Sequence, residues 1–192
     1  MDLVFASNNI YKLTEIRELL PEGYIIRTLN DIGCTDELPE TGTTIEANAL
    51  QKAGYIFQKF KMNCFADDSG LEIDALQGEP GVHSAYYAGL PRNDEKNIQL
   101  VLEKMKGVKN RSARFKTIIA WIDNGKKFFF EGLLSGSIAN SPRGKKGFGY
   151  DPIFIPEASN RTLAELTSEE KNKISHRAKA VAKFIKSLKF EV

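Results

Sequence analysis

The sequence has little of several features that would place a protein in a specialised class. Its 192 residues include only two cysteines and two histidines, and Cys34 and Cys64 form no C-x-x-C motif. A disulfide framework is therefore not expected, and the cysteine count suits a reducing compartment. His83 and His176 alone cannot make a histidine-rich site, which argues against zinc.

Long apolar runs and an excess of one charge are also missing. The first apolar run covers only Leu3 to Ala6 after an acidic Asp2, which does not fit a signal peptide, and no segment approaches bilayer-spanning length. The 27 basic and 25 acidic side chains nearly balance, whereas nucleic-acid or anionic-membrane binding usually needs a clear positive excess. The sequence predicts a soluble, cytoplasmic protein with no nucleic-acid or membrane partner, in which a local site supplies any phosphate affinity.

The pattern that is present predicts an α/β fold with a mixed sheet. An apolar strand at Leu3 to Ala6 precedes a helix that should end at Pro21. A second helix is expected to start at Thr43, which with Glu46 fits a capping box. The Asn124-Gly125 dipeptide, between two strand-like segments, predicts a type I′ hairpin.

Three further strands and a closing helix are expected later in the chain. A strand should end at Ala66, with a turn at Asp67-Asp68-Ser69-Gly70 and a second short strand from Leu71. Residues 148–155 read as another strand, and a closing helix should begin at about Thr167.

The segment Ser7-Asn8-Asn9-Ile10-Tyr11-Lys12 is a candidate phosphate cradle, because it lies between a strand and a helix. A helix start offers free backbone N–H groups and the positive end of the helix dipole. No G-x-x-x-x-G-K-[ST] sequence exists in the chain, so the segment is not a Walker A loop. A plain N-cap beside a surface lysine would give the same pattern.

The adjacent carboxylates Asp67 and Asp68 are a candidate Mg²⁺ site, because Mg²⁺ takes one or two carboxylates with waters and substrate phosphate. A carboxylate beside the metal can also accept the proton of an attacking water. Glu40 is a possible further ligand from a loop. An acidic turn with Gly70 at positive φ would explain the motif without chemistry.

The segment 144–152 combines three glycines with Phe148, Tyr150 and Asp151. Its G-x-x-G-x-G order reverses the dinucleotide-binding fingerprint, so a Rossmann fold is not indicated. Flexible backbone beside aromatic rings suits a lid that stacks on a nucleobase. A glycine-rich hairpin loop with aromatics packed in the core is the alternative.

Lys171 and the triplet Ser175-His176-Arg177 supply fixed donors, provided that they converge. On one continuous helix His176 would point away from the core, so convergence favours a break at Ser175, a good N-cap. A solvated basic helix face is the alternative.

Taken together, these motifs resemble the inosine/xanthosine triphosphate pyrophosphatase family over nearly the whole chain. The matching segments are Ala6-Ser7-Asn8-Asn9 with Lys12, Pro39-Glu40-Thr41-Gly42, Asn48-Ala49 with Lys52-Ala53, Ala66 to Leu71, Gly78 through Pro80-Gly81, Gly147 to Phe154, Glu169-Glu170-Lys171 and Ser175-His176-Arg177. The chain departs from the family pattern at Ala47, where glutamate is common, and at Tyr86, where arginine is frequent.

The resemblance implies an elongated two-lobed α/β fold with a central mixed twisted sheet, flanking helices and an active-site cleft between the lobes. Residues 1–192 would form a single domain, usually in a homodimer. The implied reaction is Mg²⁺-dependent hydrolysis of ITP, dITP and XTP to the nucleoside monophosphate and pyrophosphate.

The resemblance also implies roles for individual residues. Glu40 and Asp68 would bind Mg²⁺, and Asp68 would accept the proton of the attacking water. Substrate would be bound by Ser7, Asn8, Asn9, Ile10, Tyr11, Lys12, Lys52, Ser69, Phe148, Gly149, Tyr150, Asp151, Lys171, Ser175, His176 and Arg177. Donors such as His176 and Arg177 would pair with a purine 6-keto oxygen and oppose an amine there.

Two other functions remain open at the level of sequence. A γ-phosphatase or nucleotide kinase would use similar parts but would release orthophosphate or phosphorylate an acceptor. A nucleic-acid binding module could use Lys145, Lys146 and the basic C-terminal positions, and its binding would depend steeply on salt.

Overall fold

The computed structural model describes residues 2–188. Its strands form one open six-stranded sheet in the order β2-β1-β3-β4-β5-β6. The strands are β1 Asp2–Phe5, β2 Ile25–Arg27, β3 Cys64–Ile73, β4 Ser112–Asp123, β5 Lys126–Ile138 and β6 Phe154–Pro156. Strand β1 is parallel to both β2 and β3, whereas β5 and β6 are antiparallel. The mixed sheet of the predicted α/β fold is confirmed.

Five α-helices accompany the sheet in the described part of the chain. They are α1 Ile10–Leu19, α2 Ile45–Phe60, α3 Asp94–Lys104, α4 Ser168–Ile174 and α5 His176–Leu188. Within residues 2–188 no helix has the length and apolarity needed to cross a bilayer.

The start of α2 corrects one expectation. Its N-cap is Thr44, whose side chain accepts a hydrogen bond from Ala47 N at 3.1 Å, so the predicted capping box of Thr43 and Glu46 is wrong by one residue. The buried Ile45 is the first helical residue, and the capping hydroxyl must come from the residue before it. The capping box of Thr167 and Glu170 at the start of α4 is confirmed.

The chain divides into two compact units. Among the described residues, the first comprises 2–68, 117–132 and 177–188, and the second comprises 69–116 and 133–176. Each unit has its own apolar core. The first core includes Leu3, Phe5, Ile16, Phe65, Ile119, Trp121, Val181 and Phe184, with Phe128 and Phe130 packed against it. The second includes Leu71, Ile73, Val101, Met105, Phe115, Ile138, Tyr150, Ile153 and Phe154.

The type I′ turn predicted between β4 and β5 is confirmed. Asn124 has φ 46° and Gly125 has φ 83°, the pair of positive values that a type I′ turn needs at its two central positions.

Two strand predictions were wrong. Residues 67–70 are not a turn between two strands, because β3 runs without interruption from Cys64 to Ile73. The acidic pair is accommodated inside this strand because buried cations face it. The strand expected over 148–155 is reduced to β6, since left-handed Gly147 and Gly149 bend the chain before it.

Candidate active site

The segment after β1 is built as a helix start. The side chain of Asn9 caps α1 by accepting hydrogen bonds from Tyr11 N at 3.0 Å and Lys12 N at 3.2 Å. Ser7 Oγ accepts from Asn9 N at 3.2 Å. Ile10 and Tyr11 are more than half exposed, although both are large and apolar in part. Because Asn9 occupies the amides of Tyr11 and Lys12, the helix dipole and the exposed side chains of this segment are what remain to attract phosphate.

Lys12 differs from its neighbours because its side chain points inward. Its Nζ lies 3.2 Å from Asp67 Oδ1 and 3.9 Å from Asp68 Oδ1. Burial lowers the pKa of Lys12, and the charge of Asp67 opposes that shift. The prediction of a plain N-cap beside a surface lysine therefore does not describe this position.

Asp68 lies between two lysines and is 8% exposed. Its Oδ1 is 3.4 Å from Lys52 Nζ, and Lys52 Nζ also pairs with Glu40. Burial raises the pKa of Asp68 because the charges of Lys52 and Lys12 offset only part of the lost hydration. A carboxylate with a raised pKa is a better proton acceptor than an ordinary aspartate.

The loop that carries Glu40 is held against α2. Thr41 N donates to Gln51 Oε1 at 2.9 Å, and Gly42 N donates to Asn48 Oδ1 at 2.7 Å. A Cβ on Gly42 would come within 2.8 Å of Asn48 Oδ1, so glycine is needed for this close approach. Because Lys52 follows Gln51 on α2, one helix holds both the loop and the cation that faces Glu40.

Asp67 is paired on its other side with Arg177. Arg177 Nε donates to Asp67 Oδ2 at 3.2 Å, and Arg177 Nη1 pairs with Glu15. Glu15 is not among the residues predicted from the sequence, although a glutamate three residues after Lys12 on the same helix is a usable signal. Arg177 is 2% exposed, so its charge is balanced by two carboxylates inside the first unit.

The arrangement of Glu40 and Asp68 is compatible with Mg²⁺. Both carboxylates contact one ammonium group, that of Lys52. Within residues 2–188 no group of three or more histidine, cysteine or acidic side chains could hold a metal ion. Mg²⁺ needs only one or two carboxylates, because waters and substrate phosphates complete its coordination. This pair therefore fits a substrate-assisted Mg²⁺ site and not a fully protein-built one.

In the second unit, the glycine-rich segment is a fixed turn. Asp151 Oδ2 accepts from Phe148 N at 3.0 Å. A Cβ on Gly147 would lie only 2.0 Å from this oxygen, and Gly147 has φ 74°, so both space and backbone conformation require glycine. Tyr150 is buried, and its hydroxyl donates to Ser84 O at 2.9 Å. Tyr150 therefore packs in the core, as the alternative interpretation of this segment predicts. Phe148 does not, because its ring is only half-buried.

Lys171 connects α4 to this turn. Its Nζ lies 2.6 Å from Asp151 Oδ2 and 5.0 Å from the centre of the Phe148 ring. Lys171 and Asp151 are both buried. One cation thus holds the carboxylate that shapes the turn and also contacts the face of the aromatic ring.

The closing helix expected from about Thr167 is two helices, and the break lies at Ser175, where convergence of the donors would require it. Ser175 has φ −62° and ψ 152°, an extended conformation that separates α4 from α5. The His176 ring stacks on Phe115, with centroids 4.7 Å apart and planes at 9°. Ser175 and His176 are buried, so they do not form a solvated basic helix face.

The structure thus gathers the predicted residues into two groups, one in each unit. The first unit brings together Lys12, Glu40, Lys52, Asp68 and Arg177, with the segment from Ser7 to Tyr11 beside Lys12 in sequence. The second brings together Phe148, Asp151 and Lys171, with Gly149 and Tyr150 in the same turn. Ser69 belongs to the second unit by the division of β3 and is half-buried.

The sequence and the structure both resemble known proteins over nearly their whole length. The model of the Ham1 family matches residues 3–187. A Flavobacterium johnsoniae protein named dITP/XTP pyrophosphatase is 51% identical over 185 residues, covering 96% of each chain. A Flavobacterium psychrophilum protein of the same name is 50% identical over 185 residues, covering 96% of this chain and 97% of the relative. The solved structure of the Staphylococcus aureus Ham1 protein superposes with a TM-score of 0.91 at 37% identity, covering all of both chains.

Proposed function

The chain belongs to the Ham1 family, and we propose that it hydrolyses ITP, dITP and XTP to the nucleoside monophosphate and pyrophosphate with the aid of Mg²⁺. The observation that carries this proposal is the position of Asp68. Its buried carboxylate faces Lys12 and Lys52, and Lys52 is shared with Glu40. Relatives about half identical over nearly the full chain are named for dITP and XTP hydrolysis, which supports the substrate class.

In this proposal Asp68 accepts the proton of the attacking water. Burial raises the pKa of its carboxyl group. A carboxylate with a higher pKa accepts the proton of the attacking water more readily. Glu40 and Asp68 would hold Mg²⁺, which would supply charge neutralisation at the phosphates and a lower pKa for bound water. The remaining chemistry comes from side chains of the protein itself.

Lys12 and Lys52 would stabilise the charge that develops as pyrophosphate leaves. Both ammonium groups are preorganised by carboxylates and are removed from bulk water. Preorganised charges in such surroundings lose little energy to reorganisation during the reaction. The start of α1 would add the positive end of the helix dipole beside the phosphates.

Base recognition is assigned to Phe148, His176 and Arg177. Phe148 would stack on the purine, because its ring is half-buried and has Lys171 5.0 Å from its centre. His176 and Arg177 are proposed to donate to the purine 6-keto oxygen. A site built on fixed donors rejects a base that presents an amine there, since the donors would be left unpaired.

The direct test is a panel of nucleoside triphosphates assayed with Mg²⁺, with pyrophosphate and orthophosphate measured separately. ITP, dITP and XTP should yield pyrophosphate in an amount equal to the monophosphate formed, and ATP should react far more slowly. Orthophosphate as the primary product would replace the proposal with a γ-phosphatase.

Location in the cytoplasm and assembly into a homodimer are parts of the same proposal. Both cysteines are free and buried, which suits a compartment without disulfides. Leu90 is 83% exposed and Tyr86 47%, and such apolar side chains are common in protein interfaces. Sedimentation equilibrium at micromolar concentration should give a mass of twice 21.5 kDa; a monomer mass would reject the dimer.

A further inference from the structure

The first turn of α3 contacts the turn that carries Phe148. Asp94 is the first residue of this helix, and its Oδ2 accepts a hydrogen bond from Gly149 N at 2.9 Å. The two residues are 55 positions apart in the sequence. Asp94 therefore acts on the glycine-rich turn from outside it.

This contact completes the fixation of Phe148. The amide of Phe148 donates to Asp151 Oδ2 at 3.0 Å, and the next amide, that of Gly149, donates to Asp94. Gly149 has φ 59°, and a glycine has many other conformations available to it. Two carboxylates on successive amides restrict that freedom and hold the backbone from which the Phe148 ring projects.

Asp94 is itself well placed for this role. Arg92 donates to both carboxylate oxygens of Asp94, from Nε to Oδ1 at 3.0 Å and from Nη2 to Oδ2 at 3.4 Å, and Oδ2 also accepts from Gly149 N at 2.9 Å. One helical turn later, Asn97 is buried and donates to Ala85 O at 3.0 Å. These contacts tie the start of α3 to its surroundings, so Asp94 is a rigid anchor.

A second connection runs from the same helix to the same turn. Asn97 Nδ2 donates to Ser84 O at 3.3 Å, and Tyr150 Oη donates to that same carbonyl oxygen at 2.9 Å. Tyr150 thus fixes the far side of Gly149. The first turn of α3 thus holds the glycine-rich turn directly at Gly149 and, through the carbonyl group of Ser84, indirectly at Tyr150.

We propose that Asp94 is a positioning residue for purine recognition, which holds Gly149 so that the Phe148 ring presents its stacking face to the base. The inference rests on the proposed function, because it assumes that Phe148 stacks on the substrate purine. Asp94 acts through the backbone and is not assigned any contact with substrate.

The competing explanation is that Asp94 only stabilises the start of α3. An acidic residue in the first turn interacts favourably with the helix dipole wherever its side chain points. Glu95 occupies the same turn, is exposed and has no hydrogen bond to the glycine-rich turn among the contacts of the described residues. Glu95→Ala is therefore a matched control for the helix effect.

The experiment compares Asp94→Ala, Asp94→Asn and Glu95→Ala with the wild type, using steady-state kinetics with ITP and calorimetric binding of IMP. Asp94→Ala should raise KM for ITP and Kd for IMP by about tenfold, the size of one lost charged hydrogen bond, with kcat within about twofold. Asp94→Asn keeps an oxygen that can accept from Gly149 and should recover most of the affinity. Glu95→Ala should match the wild type.

Wild-type KM and Kd in Asp94→Ala would overturn the inference, and so would equal losses in Asp94→Ala and Glu95→Ala. If Asp94→Ala does not fold, Asp94→Ser replaces it, because a serine keeps a polar helix start but is too short to reach Gly149. If the wild type forms no pyrophosphate from ITP, the proposed function fails. In that case the Kd of IMP for Asp94→Ala, compared with the wild type, still tests the inference about Asp94. If the wild type does not bind IMP, the inference about Asp94 is overturned as well.

Discussion

Arg177 Nε donates to Asp67 Oδ2 at 3.2 Å, and both side chains are almost wholly removed from solvent. Burial alone would raise the pKa of Asp67, but the charges of Lys12, Arg177 and Lys52 hold it well below its usual range. Both members of a buried ion pair lose hydration on folding, so the intact pair adds little net stability. Removing only one member is strongly destabilising, because the other charge is left buried without a partner. This balance explains how an aspartate can occupy the middle of β3.

Asp67→Asn should destabilise the fold strongly. The substitution keeps the shape of the side chain but leaves Lys12 and Arg177 without its charge in a buried position. Breaking one side of a buried pair costs about 3–5 kcal/mol. Urea unfolding at pH 7 measures this loss, and a loss close to zero would contradict the account of β3.

The stability lost in Asp67→Asn should depend on pH in a defined way. Because the folded pKa of Asp67 is depressed, its contribution to stability is present above its ordinary value of 3.8 and is lost as the pH falls below it. The difference between wild type and Asp67→Asn should therefore be equal at pH 7 and pH 5. Asp36→Asn, at a solvent-accessible pair with Lys59, should lose much less stability.

Lys52→Met should move the acidic limb of the pH–rate profile to higher pH. Burial raises the pKa of Asp68, and the charge of Lys52 is the largest effect that opposes this. Removing that charge should raise the pKa of Asp68 further, so a higher pH is needed to ionise the proton acceptor. The profile of kcat/KM for ITP measures the shift.

Lys59→Met is the control for Lys52→Met, because it removes a lysine from the exposed side of α2, where Lys59 pairs with Asp36. Its acidic limb should coincide with that of the wild type. An unmoved limb in Lys52→Met would show that Asp68 is not the group that titrates.

The strength and the limit of sequence reasoning are both visible in β3. The motif Asp67-Asp68 was recognised as chemically important, but it was predicted to be a turn, because two adjacent acids are rare inside strands. The strand persists because Arg177, 110 residues away, and Lys12 neutralise the pair. Local pattern carries no information about such distant partners.

Gly147→Ala should weaken substrate binding. The added Cβ would lie 2.0 Å from Asp151 Oδ2, at a glycine with φ 74°. The turn can relieve that contact only by moving Phe148 and Asp151, so KM for ITP should rise by about tenfold or more, the effect of at least one lost charged hydrogen bond. Steady-state kinetics with ITP measure the rise.

Gly107→Ala separates backbone strain from the contact with Asp151. Gly107 has φ 75°, nearly the same value, but a Cβ there meets nothing within 4 Å. This variant should lose about 1–2 kcal/mol of stability from strain and keep the wild-type KM. An equal rise of KM in both variants would contradict the role given to the turn.

Short-range signals predicted other elements well. The type I′ turn at Asn124-Gly125 and the capping box of Thr167 and Glu170 depend on the conformational preferences of a few neighbouring residues, and both are present. The strand expected over 148–155 was wrong because Gly147 and Gly149 adopt left-handed conformations, which an apolar pattern does not reveal. Glu15 and Asp94 were missed because their roles come from contacts across the fold.

The most direct measurement compares Asp68→Asn with the wild type in ITP hydrolysis, with pyrophosphate as the readout and thermal unfolding as the check on folding. Asn fills the same space but cannot accept the proton of the attacking water. The account predicts that kcat falls by about 10²–10⁴-fold while the protein still unfolds cooperatively. Near-normal kcat in Asp68→Asn would contradict it.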